Sequence, residues 1–245
     1  MDVDPRLALI AIASGILPTL VWLWFWLRED NDRPEPRGLL ILTFLAGMFC
    51  VALVLPLQRL AYNYFGDSNT LVAIAGSIEE IIKFLVVAVV VMPTKRIDEP
   101  VDYPVYFITV ALGFSALENT LFLFDPITNS EATVSLLTGS LRFLGASVLH
   151  TVTSASIGIA LGLAFGGGKI KKFFYTISGL GVAIVLHSVF NLIIMDTSGD
   201  QFWKMYGLLW AIAVIIMLFF EKLRRISNAI YYKLHKPFTV KPYVQ

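Results

Sequence analysis

The feature that most constrains this chain is a series of apolar stretches, each near the length of about 20 residues that a helix needs to cross a bilayer. They fall at roughly 6–27, 38–57, 70–92, 104–124, 137–165, 173–195 and 203–221. The loops between them are short. The expected fold is therefore all-α: a polytopic transmembrane helical bundle of about seven spans in one integral membrane domain, 1–245, with a basic tail over 222–245. Composition excludes the soluble alternative, because 57 % of the 245 residues are hydrophobic, 15 % are charged and the mean hydropathy is +0.74. Soluble domains carry about 25 % charged residues. A net charge of +1 gives no basic surface for nucleic acid, and the lone Cys50 excludes an intrachain disulfide. The first span is expected to be a retained anchor. Its leader MDVDP lacks basic residues, its apolar part is long, and no small-residue cleavage site follows.

Orientation follows from the Lys/Arg distribution. Loop 28–37 carries Arg28, Arg33 and Arg37, loop 93–103 carries Lys95 and Arg96, and loop 166–172 carries Lys169, Lys171 and Lys172. The tail adds Lys222, Arg224, Arg225, Lys233, Lys236 and Lys241, whereas the opposite side has Arg6, Arg59 and Lys204. This asymmetry places the N-terminus outside and the C-terminus in the cytoplasm. The tail segment RRISNAIYYKLHKPF, 224–238, mixes basic and aromatic residues, as a segment lying on the inner leaflet would, and also fits a solvated tail.

Polar residues inside the spans need an explanation. Glu79, Glu80 and Lys83 lie in span three, Glu118 and Asn119 in span four, Arg142 and His150 in span five, and His187 and Asn191 in span six. A charge at mid-helix costs roughly 2.5–3.5 kcal/mol, and each large apolar residue returns only about 0.3–0.6. The bundle interior must receive these groups. Glu79 and Lys83 are four residues apart and share a helix face, as do His187 and Asn191. Span five repeats the spacing through Arg142, Ala146, His150, Ser154, Gly158 and Gly162, polar at one end and suited to close helix packing at the other. In span six, Gly179 and Ala183 lead into His187 and Asn191 in the same way.

Depth joins them. At 1.5 Å rise per residue, Glu79 lies about 14 Å, Glu118 about 9 Å and His187 about 12 Å below the outer ends of their spans. Taken singly, each has a structural reading: a self-neutralising Glu79–Lys83 pair, an interhelical histidine hydrogen bond, a snorkelling Arg142, asparagines as helix glue. Their levelling in the outer half of the bilayer points to one shared site.

These residues resemble a known family. EEIIKF, 79–84, is similar to the EExxK motif of the PrsW-type intramembrane proteases, and FSALEN, 114–119, to their FxxxEN motif. Arg142 with His150 resembles the third motif, and HSVFN, 187–191, the final HxxxN/D. All four occur in the family's order, one to a helix, over roughly 70–195. More distant relatives, the CAAX-prenyl endopeptidases and bacteriocin-processing proteases, carry FxxxH where this chain has Phe114 and Glu118. The resemblance implies a multi-pass protease of a prokaryotic plasma membrane that cleaves a membrane-anchored protein or peptide. In the family's best-known role the substrate is an anti-sigma factor, cut first on the outer side.

Peptide hydrolysis needs an activated water, an oxyanion stabiliser and a proton for the leaving amine. No serine or cysteine pairs with a base, since Cys50 is alone and Ser188 points about 100° away from His187. Two versions remain open. In one, Glu79 or Glu80 is the general base, Lys83 keeps the other carboxylate charged, His187 and Asn191 stabilise the oxyanion and His150 assists. In the other, His150, His187 and a glutamate, Glu118 or Glu79, bind Zn²⁺ with an open position for water. The chain lacks HExxH, which tips the residues slightly toward the metal-free version. The rivals from other classes are an ion- or proton-coupled transporter or channel using the same Glu/His/Lys cluster, and an inert membrane scaffold.

Overall fold

The computed structural model describes residues 5–29, 33–128, 141–196 and 199–235. They form seven long helices: α1 (Pro5–Glu29), α2 (Arg37–Phe65), α3 (Asn69–Val86), α4 (Asp102–Thr128), α5 (Ser147–Leu163), α6 (Lys169–Asp196) and α7 (Gly199–His235). No strand occurs among the described residues. A π-helical turn (Val87–Val91) and a 3-10 turn (Met92–Thr94) prolong α3, and a second π turn (Arg142–Ala146) leads into α5. The side chain of Arg142 and the start expected for span five at 137 lie outside the described residues.

Six of the seven are long and apolar enough to cross a membrane; α3 is set apart by its three ionisable residues. Helix starts and stops follow local chemistry. The Ser68 hydroxyl caps α3 by accepting from the Leu71 amide at 3.2 Å. Gly66 after α2 adopts φ +59°, a conformation that favours glycine. Two boundaries extend beyond the apolar runs. Helix α2 continues to Phe65, which brings Gln58 and Arg59 into the helix, and α7 continues through the first part of the basic tail to His235.

The core lies around α4 and α5, whose apolar windows are 72 % and 83 % buried against 17 % for α1. Small residues permit this density. Gly47 of α2 sits on the Val110 carbonyl of α4 and Gly113 of α4 on the Phe44 carbonyl of α2, so a Cβ at either would collide with the other backbone. Gly158 and Gly162 fit against Pro104 and Pro100, as the stripe in the sequence requires.

The basic loops share one end of the bundle. There Arg33 pairs with Glu99 and donates to Asn228, Arg224 donates to the Glu29 carbonyl, and the Ser227 hydroxyl accepts from the Val101 amide. Residues 222–235 are therefore helical, and their first turns pack on the α1–α2 and α3–α4 loops. At this end the Tyr106 hydroxyl donates to Glu35, and Asp102 Oδ2 accepts from the amides of Asp98 and Glu99, both at 2.8 Å.

Candidate functional site

The polar residues of four spans meet in one buried cluster. Glu79, Glu80 and Lys83 enter from α3, Glu118 from α4, His150 from α5 and His187 from α6. Gly76, one turn before Glu80, lets α6 approach: a Cβ there would touch Ser188 and His187 at 3.3–3.4 Å.

The adjacent glutamates have opposite surroundings. Glu80 is fully buried and saturated with donors. Its Oε1 receives Lys83 Nζ at 2.7 Å, His187 Nδ1 at 2.8 Å and the Thr153 hydroxyl at 3.0 Å, and its Oε2 receives the Ser154 hydroxyl at 3.1 Å. Glu79 Oε1 is held by Gln58 Nε2 at 2.9 Å, but its buried Oε2 has no hydrogen bond. Around that oxygen stand His187 Nε2 at 3.5 Å, His150 Nδ1 at 3.9 Å and Lys83 Nζ at 3.9 Å.

These contacts assign the imidazole protons. An ionised Glu80 only accepts, so His187 Nδ1 carries the hydrogen and Nε2 turns toward Glu79. Lys83 only donates, so His150 Nδ1 accepts from it at 2.9 Å and His150 Nε2–H donates to Glu118 at 3.0 Å. The Lys83 ammonium also lies 4.5 Å from the Phe114 ring centre, which packs edge-on against His150.

Glu79, His150 and His187 offer ligand atoms that lie within 4.8 Å of one another. Ligands of a tetrahedral zinc at 2.0–2.1 Å stand about 3.3–3.4 Å apart, near the 3.5 Å between Glu79 Oε2 and His187 Nε2. Glu80 on the far nitrogen of His187 is the outer carboxylate that zinc-binding imidazoles commonly have. The donor set fits a metal, with His150 the member that must exchange a hydrogen bond. Glu118, the other carboxylate expected to bind zinc, reaches this group through His150 Nε2.

Asn119 hydrogen-bonds to Ser115 and Ser147, and no hydrogen bond among the described residues ties the half-buried Asn191 to the other groups. Residues that sequence reasoning missed include Gln58 and Thr153. Ser154 had a signal, its place on the His150 stripe, whereas Gln58 looked like loop.

An apolar bundle that closes around two imidazoles, three carboxylates and an ammonium defines an integral membrane protein with a polar site among its helices. The chain belongs to the PrsW family of intramembrane metalloproteases, whose family model matches residues 35–220. It is similar to Protease PrsW of Clostridioides difficile (strain 630), 27 % identical over 222 residues that cover 87 % of this chain and 90 % of the relative. Protease PrsW of Bacillus subtilis (strain 168) is 28 % identical over 89 % of this chain and 94 % of its own length. That of Oceanobacillus iheyensis is 30 % identical over 83 % and 92 %. No solved structure matches the chain. The protein is thus a multi-pass plasma-membrane protease acting on a membrane protein substrate; the transporter, channel and scaffold readings gain no support.

Proposed function

We propose that this protease hydrolyses a peptide bond of a membrane-anchored substrate, an anti-sigma factor being the family-suggested class, near the outer leaflet. The basic loops gathered at one end support a cytoplasmic placement of that end, with the N-terminus outside. Glu79 is the working carboxylate and Glu80 the fixed counter-charge. The observation that carries this is the buried Glu79 Oε2, which faces two imidazoles with no donor of its own. An unpaired carboxylate oxygen inside a bundle is costly, and a substrate water or an ion would satisfy it.

Glu79 Oε2 accepts a proton from the attacking water and returns it to the leaving amine, while Gln58 holds Oε1 and sets the carboxylate plane. Glu80, held by four donors, keeps Lys83 and His187 in place. Lys83 lends its charge to the site and orients His150, which in turn orients Glu118. Asn191, one turn from His187 on the same helix face, offers its amide to the developing oxyanion.

The compact donor set favours a second version, with Zn²⁺ on Glu79, His150 and His187. When bound, the ion would act as a Lewis acid and lower the pKa of water. Glu79 would then be a ligand and Glu118 the remaining carboxylate. Purified protein incubated with a membrane-anchored substrate should yield two fragments, and intact substrate after prolonged incubation would refute the reading. Zinc measured in the same preparation separates the versions: an equimolar content lost both in His187→Ala and in Glu79→Gln assigns Glu79 as a ligand, and its absence from fully active protein assigns Glu79 as the base.

A further inference from the structure

Among the described residues, the buried cluster meets open space through a cleft of about 410 Å³ between α2 and α4. Val51, Val54, Leu55 and Gln58 of α2 form one wall, Phe114, Glu118, Leu121 and Phe122 of α4 the other, and Glu79 the floor. Its mouth faces sideways from the bundle, since Leu55, Leu121 and Phe122 are 50 %, 47 % and 56 % exposed. The Glu118 side chain, 19 % exposed, is the most accessible of the clustered carboxylates, imidazoles and ammonium; Glu79 follows at 7 %, and Glu80 and Lys83 are sealed. Access to the site therefore runs past these two carboxylates.

The glycine crossing explains why the cleft lies here. Gly47 and Gly113 bring the backbones of α2 and α4 together, and the cleft occupies the following turns of both helices. Chain order makes α2 and α4 run the same way, so both continue from the crossing toward the cleft. The volume lies within the roughly 300–1,000 Å³ of ligand-binding pockets.

Resting on the protease reading above, we propose that this cleft is the substrate-binding site, entered laterally from the bilayer. Its occupant is an extended stretch of the membrane-anchored substrate, with one large apolar side chain beside the scissile bond seated against Leu55, Leu121 and Phe122. Chemistry supports this occupant. Unpaired peptide groups are not tolerated in lipid, so a segment unwound for cleavage needs polar partners, and the Glu79 and Glu118 carboxylates stand at the inner end of apolar walls. An apolar side chain leaving lipid for those walls loses nothing, which leaves the carboxylate end to receive the peptide bond. Gln58 is a positioning residue in this arrangement, acting through Glu79.

The test uses purified full-length protein and single-span model peptides identical except for Ala, Leu or Trp at one outer juxtamembrane position. Products are read by mass spectrometry. Leu55→Trp narrows the cleft and should lower cleavage of the Trp peptide at least tenfold more than that of the Ala peptide. Phe122→Ala widens it and should shift preference toward Trp. Val185→Trp, on the exposed face of α6, should change neither. Independently, a photo-crosslinker at Leu121 in the Glu79→Gln protein should capture the Leu peptide, and one at Val185 should not. Cross-linking at Leu121 without cleavage by the parent protein would keep the binding site and sink the protease reading. Cleavage whose side-chain preference ignores Leu55→Trp and Phe122→Ala, with no capture at Leu121, would overturn the cleft. Peptides neither cleaved nor captured would overturn both.

Discussion

Among the described residues two buried acidic clusters each leave one carboxylate oxygen without a donor: Glu79 Oε2 among the helices and Asp102 Oδ1 at the basic-loop end. The difference lies in what stands opposite. Asp102 has its other oxygen tied to two backbone amides, and the nearby Glu35 carboxyl takes the Tyr106 hydroxyl and has a raised pKa through burial. That cluster joins loops to the end of α7 and reads as a fastening. Glu79 Oε2 faces two imidazole nitrogens and borders a cleft. The first orphan sits in a cluster closed by backbone and loop contacts, whereas the second opens on the cleft.

The comparison can be broken in several places. The largest stability effect should come from Glu80→Gln, which leaves the fully buried Lys83 with Glu79 Oε2 at 3.9 Å as its nearest carboxylate. Loss of one partner of a buried pair costs about 3–5 kcal/mol, so thermal unfolding in detergent should show a markedly lowered Tm or a failure to accumulate folded protein. An unchanged Tm would show that Glu80 is not the counter-charge. Next, Gln58→Ala frees Glu79 Oε1 and should lower kcat about tenfold with KM unchanged, the kinetic equivalent of about 1.4 kcal/mol for one hydrogen bond to a charged group. A raised KM at constant kcat would make Gln58 a substrate contact.

The smallest effect concerns the fastening. Burial, and then the charge of Asp98, raise the Glu35 carboxyl above its ordinary 4.5, against hydrogen bonds from Tyr106 and Asp102 and the charge of Arg96. A carboxyl with a raised folded pKa favours folding fully below the unfolded value, and that contribution fades as pH rises through the folded one. Tm should therefore fall as pH rises from 4.5, and Glu35→Gln should flatten that slope by a few degrees while leaving proteolysis intact. An unchanged slope would mean that Glu35 does not titrate differently on folding.

Much of this was legible in the sequence because apolar length and intramembrane charge are both written locally. The motif residues Glu79, Glu118, His150 and His187 were found on four helices and do converge. Their division of labour was not readable. Glu79 and Glu80 are neighbours about 100° apart on one helix, and only the rotation of α3 decides which meets Thr153 and Ser154 and which meets Gln58 and the cleft. Gln58 escaped notice because hydropathy ends span two at 57, while the helix runs on to Phe65. The tail shows the same limit of hydropathy: its charge ends the apolar pattern at 221, while the helix runs on to His235 with Arg224, Ser227 and Asn228 paired to loop residues.

The most direct test of the division between the two glutamates is the cleavage rate of Glu79→Gln, measured on purified protein whose unfolding transition matches the parent. The amide still receives Gln58 or gives up one hydrogen bond, but it neither takes a proton nor binds zinc as a carboxylate. The rate should fall by about 10²–10⁴, the span of a lost general acid–base group. A parent-like rate from that folded variant would contradict the account.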